Sequence, residues 1–300
     1  MSDVNHLTYP EAIVVGLLQG VTELFPVSSL GHSVLLPALI GGRWARDLDV
    51  SAPESPYLAF VVGLHVATAL ALLLFFWRDW LRILTGFGTS VRYRRIKTPD
   101  ERLAWMIILA TIPVGITGLL LEHTFRTVLG RPVPAAIFLT VNGVLLYGAE
   151  RLRRRALAAA QTSWPEAAAS DRQIAAGSLG GATLVGSAQV LALLPGISRS
   201  GVTLGAGLLK GLSHEDGARF SFLLATPVIL AAGVLKVPDL FGPLGEGIRG
   251  QVLAGSLASG VAAYCSVRFL TRYFETRTLT PFAVYCVAAG VAALVWLGLA

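Results

Sequence analysis

Residues 19–36 read QGVTELFPVSSLGHSVLL, and residues 193–211 read LLPGISRSGVTLGAGLLKG. Each string lies inside an apolar stretch, Glu11 to Gly41 and Ile174 to Leu209, and interrupts it near the middle with proline, glycine, serine and a charged side chain. Neither half of either stretch is long enough to cross a hydrocarbon layer of about 30 Å, which takes roughly 20 helical residues. A broken apolar segment can still enter a membrane, turn and leave on the same side, provided the non-helical backbone at the turn is buried in protein or lines a wet cavity. Both stretches therefore read as re-entrant helical hairpins. They also resemble each other: Gln19 and Gln189, Ser28 and Ser198, and Gly31 and Gly201 stand at one offset of 170 residues.

Working outward, six uninterrupted apolar runs are long enough to span: Tyr57 to Trp77, Leu103 to Leu121, Val133 to Ala149, Ala218 to Leu235, Gln251 to Phe269 and Pro281 to Leu299. Three follow each hairpin, an odd number, so the chain reads as two inverted repeats, 11–149 and 174–300, joined by a cytoplasmic linker, 150–173. The predicted fold class is an all-α integral membrane protein, one membrane domain over residues 1–300, with six transmembrane helices plus two re-entrant hairpins in an inverted repeat. Composition agrees: of 300 residues 54% are hydrophobic and 14% charged, where a soluble domain carries about 25% charged residues. The net charge of +6 gathers in short loops, which argues against a nucleic-acid partner and for a role in topology. Cys265 and Cys286 lie in apolar runs outside any metal-binding or disulfide pattern. No cleavage site follows the first apolar residues, so no signal peptide is expected.

Chemistry concentrates at the two breaks. Gln19 and Glu23, four apart, share a helix face; Phe25, before Pro26, ends that helix; Ser28 or Ser29 caps the next, with His32 in its first turn. Pro195 and Gly196 break the second hairpin, where Ser198 or Ser200 caps a short helix running to Gly211, with Arg199 at the break. Two helix N-termini bearing hydroxyls, joined by a guanidinium, suit an anionic group, and a carboxylate and a histidine beside them suit acid, base or nucleophilic work. The bland readings are that Glu23 and Arg199 snorkel to the interface and the hydroxyls are plain caps. His65, Thr68 and Asn142 read as interhelical hydrogen-bond formers, with His65 and Thr68 also able to line a cavity.

QGVTELFPVSSLGH resembles the first signature of the undecaprenyl-diphosphate phosphatase family, also known for bacitracin resistance: Glu or Gln, a Glu four residues on, then PVSS and a His. LLPGISRSGVT resembles its second, PGxSRSGxT, and the resemblance extends through LHVATALALLLFFWRD, ATIPVGITGLL and FSFLLATP to nearly the whole chain. It implies hydrolysis of undecaprenyl diphosphate, a polyprenyl diphosphate lipid, to undecaprenyl phosphate in a bacterial plasma membrane, at a site open to the extracytoplasmic face. It further implies Glu23 as the essential acid, Arg199 as the group holding the diphosphate, and His32 with Ser28 or Ser29 in phosphoryl transfer. Substrate binding is expected of Arg199 with Ser198, Ser200, Gly201, Thr203 and Gln19. A divalent cation, Mg²⁺ or Ca²⁺, is expected with Glu23 as ligand; Gln19 stands where many members have Glu, which leaves one fewer carboxylate for it. A homodimer is among the assemblies the sequence allows.

Two rival readings share parts of this pattern. A polyprenyl-phosphate flippase or other transporter would explain the inverted repeats but not the Ser, Arg, His and Glu at the breaks. An intramembrane serine protease lacks its GxSG motif here, and Arg199 between two serines suits an anion better than a peptide carbonyl. The basic loops Arg78 to Arg102, Glu150 to Arg172 and Arg268 to Arg277 are expected inside the cell, with both termini outside. Single cysteines, Asp49→Cys and Arg154→Cys, in a background lacking Cys265 and Cys286, test this in intact cells: an impermeant thiol reagent labels position 49 and not position 154.

Overall fold

Thr8 opens the first helix with a capping box: its hydroxyl accepts from the Glu11 N–H, and the Glu11 carboxylate accepts from the Thr8 N–H. From there the computed structural model describes residues 7–48, 56–124, 128–159, 174–242 and 247–299, with helices and turns but no strand among the described residues. The first hairpin is α1 (Tyr9–Thr22) and α2 (Ser29–Ile40), followed by the short α3 (Gly42–Asp47). Then come α4 (Pro56–Phe75), α5 (Trp77–Tyr93), α6 (Pro99–Thr124) and α7 (Pro132–Ala159). The second hairpin is α8 (Leu179–Ser187), continued by a 3-10 segment (Ala188–Leu193), and α9 (Arg199–Leu209). The chain closes with α10 (His214–Phe241), α11 (Arg249–Thr276) and α12 (Thr280–Leu299).

Helices α4, α6, α7, α10, α11 and α12 coincide with the six apolar runs. By length and composition four helices among the described residues can cross a membrane: 99–121, 132–159, 249–276 and 280–299, with a fifth if the bent pair 60–75 and 77–93 counts as one span. The chain is thus a multi-pass membrane protein. Three boundaries differ from the sequence reading. The basic stretch from Arg78 is not a loop: α5 occupies it to Tyr93, turned 84° from α4 at Phe76. Trp77, Leu81, Leu84 and Val91 form one exposed apolar face, while Ile83, Gly86 and Ser90 are buried. The reading missed α5 because its apolar residues are spaced around polar ones instead of forming a run. Secondly, Arg268 to Arg277 is helical as far as Thr276. Thirdly, the linker begins as helix, since α7 runs to Ala159; its residues 160–173, like Asp49, lie outside the described residues.

Small residues set how closely the first hairpin seats. A Cβ on Gly16 would fall 2.3 Å from the Gly255 carbonyl oxygen, and one on Gly20 the same distance from that of Ser259. Two pairs of small residues at four-residue spacing thus bring α1 and α11 backbone to backbone, as membrane helices do where lipid supplies no hydrophobic drive to pack. Thr68 meets Ser259 at 3.1 Å, the interhelical bond expected of it.

The two chain breaks meet at Asn142 in α7, which is fully buried. Its side-chain amide donates to the Pro26 carbonyl at 3.1 Å and its oxygen accepts from the Ser198 N–H at 3.0 Å. One side chain therefore satisfies a buried backbone group at each break. Asn142→Leu strands both groups, each at about 1–3 kcal/mol. Thermal unfolding of the purified protein in detergent is expected to show a clear loss of stability, and an unchanged midpoint would reject this role.

Candidate active site at the meeting of the two breaks

Glu23 follows the last turn of α1 and Arg199 is the first residue of α9, so each is carried into the protein by its break. The Arg199 Nη2 donates to Glu23 Oε1 at 2.7 Å. Glu23 Oε2 accepts from the Gln19 amide at 3.0 Å and from the Ser29 hydroxyl. His65 of α4 brings Nε2 to 3.4 Å from the same oxygen, and its Nδ1 donates to the Val61 carbonyl at 2.8 Å. A buried carboxylate is thus enclosed by four side chains from four helices, which fixes both its charge and its direction. Arg199 keeps one donor, Nη1, buried and without a hydrogen-bond partner.

Around this centre the serines join the breaks. Ser28 adopts φ +69°, a backbone state costly for a side-chain-bearing residue and tolerated where its surroundings hold it. Its hydroxyl oxygen accepts from the N–H of Gly31 and from that of Gly196, both at 3.2 Å. The Ser198 oxygen accepts from the Gly201 N–H at 3.1 Å, and the Ser200 hydroxyl donates to the Phe25 carbonyl at 3.2 Å. Gly196, at φ +110°, fits against α7 only because it lacks a Cβ, which would lie 2.4 Å from the Ala135 carbonyl oxygen.

The structure therefore sorts the residues singled out in the sequence. Gln19, Glu23, Ser29 and Arg199 are hydrogen-bonded together. Ser28, Ser198 and Ser200 tie one break to the other; Thr203 bonds the Arg199 carbonyl at 2.7 Å, and Gly201 lets α9 approach Leu146. His32 makes its bonds elsewhere: Nδ1 donates to the Ser28 carbonyl and Nε2 meets the Tyr285 hydroxyl, both at 2.7 Å. The matched glutamines diverge, since Gln189 donates to the Ala110 carbonyl of α6. His65 makes the interhelical contact expected of it, and because its partner is Glu23 it belongs to the centre; an ionisable side chain within a span needs a partner, and Glu23 was the carboxylate at hand. Nothing in the sequence marks Tyr285, one aromatic in an apolar run.

Among the described residues no three His, Cys, Asp or Glu side chains converge on a metal position. Gln19 Oε1 is buried without a partner, however, and its amide is bonded to Glu23. One carboxylate and one neutral oxygen side by side fit a hard cation shared with phosphate oxygens, the usual manner for Mg²⁺, and do not make an all-protein cage.

An all-helical, multi-pass membrane protein whose polar centre is a carboxylate, a guanidinium and hydroxyls at two helix breaks is equipped to handle an anionic group at the membrane. Residues 12–292 match the family described as Bacitracin resistance protein BacA, and the chain belongs to that family. It is 69% identical over 301 residues to an undecaprenyl-diphosphatase of Mycolicibacterium paratuberculosis, covering 98% of this chain and 99% of the relative. Undecaprenyl-diphosphatase 1 of Frankia casuarinae is 53% identical over 370 residues, at 99% and 100% coverage. An undecaprenyl-diphosphatase of Granulibacter bethesdensis is 43% identical over 293 residues, at 96% of each.

Removing one partner of a buried ion pair leaves the other charge uncompensated, at about 3–5 kcal/mol. Arg199→Ala is therefore expected to destabilise the protein by that order in thermal unfolding, and the double variant Glu23→Gln/Arg199→Ala to recover part of the loss. Additive effects would show that the pair is not coupled.

Proposed function

We propose that this chain hydrolyses undecaprenyl diphosphate to undecaprenyl phosphate and inorganic phosphate, renewing the lipid carrier for peptidoglycan synthesis and conferring resistance to bacitracin. The observation that carries the reading is the Ser29 hydroxyl donating to a carboxylate that also holds Arg199. A hydroxyl, its base and a cation for the substrate are the parts that phosphoryl transfer needs.

Arg199 binds the terminal phosphate through Nη1 while Nη2 stays on Glu23, so charge spreading over the phosphate oxygens meets a fixed cation. Ser29 Oγ bonds to the terminal phosphorus as the bond from that phosphorus to the bridging oxygen breaks. The hydroxyl proton passes to Glu23, and prenyl phosphate leaves. Water then attacks the phosphoserine; Glu23 returns its proton to Oγ and takes one from the water, which is later lost to solvent, and inorganic phosphate departs. Ser29 is favoured over Ser28 because the Ser28 oxygen already accepts two N–H bonds. His32, through its bond to the Ser28 carbonyl, holds the turn that presents Ser29. A divalent cation, Mg²⁺ or Ca²⁺, bound by Glu23 and Gln19 Oε1 would neutralise charge on the phosphate oxygens.

In the membrane, α4, α6, α7, α10, α11 and α12 cross as six spans and the hairpins α1/α2 and α8/α9 re-enter from opposite faces as inverted repeats. Two features support this: the matched caps of Ser28 on Gly31 and Ser198 on Gly201, and the basic residues at one set of helix ends. The centre opens to the extracytoplasmic side, and the prenyl chain remains in lipid between the spans. The residues named in the reaction all come from one chain, and a homodimer would hold two such sites. A flippase would need the repeats but not the Ser29–Glu23 bond.

Phosphate release from a prenyl diphosphate by the purified protein tests the reading. Glu23→Ala and Arg199→Ala are expected to abolish most turnover, and Ser29→Ala to lower kcat by on the order of a hundredfold or more. Chelator is expected to lower the rate and Mg²⁺ or Ca²⁺ to restore it. Near-normal turnover in folded Ser29→Ala would remove Ser29 as nucleophile and leave water activated by Glu23.

A further inference from the structure

A second polar site lies well away from Glu23. A cavity of about 850 Å³ opens where residues 147–154 of α7 meet the C-terminal end of α11 and the start of α12, and Tyr147, Arg151, Arg154, Tyr273 and Arg277 line it together with Glu150. Arg151 is nine residues beyond Asn142 on α7, roughly 14 Å along the axis at 1.5 Å per residue. The cavity is thus two to three helical turns from the junction of the breaks, among the basic helix ends that short-loop charge places in the cytoplasm.

Its charges are unbalanced. Glu150 is the carboxylate in its wall, and it is buried and already bonded to Arg154 Nε at 2.9 Å and His214 Nε2 at 2.7 Å. Arg151 meets the Tyr147 hydroxyl at 3.4 Å, and neither Arg151 nor Arg277 forms an ion pair with a carboxylate among the described residues. Two guanidiniums therefore face the cavity beyond the one that Glu150 offsets. Guanidiniums bind phosphate oxygens as planar forks. From the cavity toward the junction of the breaks, α7 and α12 expose apolar side chains, Val144 and Leu145 on the one and Val284 on the other. Tyr147 and Tyr273 stand at this boundary, the level at which amphipathic aromatic rings collect at a membrane interface. A lone phosphate ion would use a small part of 850 Å³ and none of the adjoining apolar surface. A phosphate attached to acyl chains would use both.

We propose that this cavity binds the phosphate headgroup of an anionic phospholipid of the cytoplasmic leaflet, held by Arg151 and Arg277 with its chains along α7 and α12. The site is separate from the phosphatase centre, and its occupancy does not depend on that centre being active. Native mass spectrometry of the delipidated, purified full chain tests it, with phosphatidylglycerol or phosphatidylcholine added in separate arms and inorganic phosphate as competitor in a third. The wild type is expected to retain one phosphatidylglycerol in preference to phosphatidylcholine. The preference is expected to fall by roughly thirty-fold in Arg151→Gln/Arg277→Gln, about a factor of five for each cation at a membrane surface. The variant Arg151→Lys/Arg277→Lys, which keeps the charge, is expected to retain part of it, and phosphate release in phosphatidylcholine is expected to be unchanged in both variants. Equal retention of the two lipids by the wild type, or undiminished preference in the Gln variant, would overturn the proposal. Displacement of the lipid by millimolar inorganic phosphate would also overturn it in favour of a free-phosphate site. If the double Gln variant does not fold, the single variants Arg151→Gln and Arg277→Gln decide, and undiminished preference in both would reject the headgroup site.

Discussion

Backbone that leaves the helix inside a membrane protein must find its hydrogen bonds within the protein, because lipid supplies none. Among the described residues two such places, Phe25–Val27 and Leu194–Ser198, meet, and each is satisfied largely by the other. Asn142 serves a carbonyl of one and an N–H of the other. Ser28 takes the Gly196 N–H, and the Phe25 carbonyl takes the Ser200 hydroxyl. Remove either hairpin and the remaining one has unpaired groups in an apolar setting. Mutual dependence of this kind explains why two short, broken helices that could not stand alone in a bilayer hold one defined arrangement.

The same junction makes chemistry available. Glu23 and Arg199 are buried because they sit at the breaks, and their charges are tolerable because the breaks meet. A buried ion pair is weak support for stability, since desolvation offsets most of its attraction. Its value here is positional: the carboxylate is aimed at Ser29, and the guanidinium is held with one donor unused. Preorganised charge of this sort would need no rearrangement at the moment of reaction. The strain at Ser28 fits the pattern of sites where backbone conformation is held by surroundings to serve a function.

Two polar sites then lie at different depths along α7. Asn142 anchors the inner one, and Arg151 and Arg154 mark the outer one. Between them α7 exposes apolar side chains such as Val144 and Leu145. One helix thus carries the structural link for the hairpins near its middle and a cluster of arginines toward its end. The amphipathic α5, turned away from α4 and exposing Trp77, Leu81 and Leu84, has the apolar face of a helix lying in the interface plane.

Six apolar runs, two interrupted ones and the matched residues around Pro26 and Pro195 were legible in the chain, because hydropathy and helix-breaking chemistry are local properties that survive in one dimension. Glu23, Arg199 and the serines were visible as candidates for the same reason: charge and hydroxyls within apolar stretches need an explanation wherever they occur. The division of labour among them was not. Whether Ser28 or Ser29 faces the carboxylate depends on a left-handed backbone angle at Ser28 and on an N–H from residue 196, and no local pattern carries either. His65 joined the centre because α4 packs beside the first break, and Tyr285 reached His32 from across 253 residues. α5 was hidden for another reason: its apolar face is a periodic pattern spread among arginines, and a search for continuous runs passes over it. The cavity at Arg151 and Arg277 exists only because the later turns of α7 pack beside the turn from α11 to α12. Sequence by itself determined the material of the site and of the spans; tertiary contact decided which polar groups bond each other, because buried partners are chosen by the packing that excludes water.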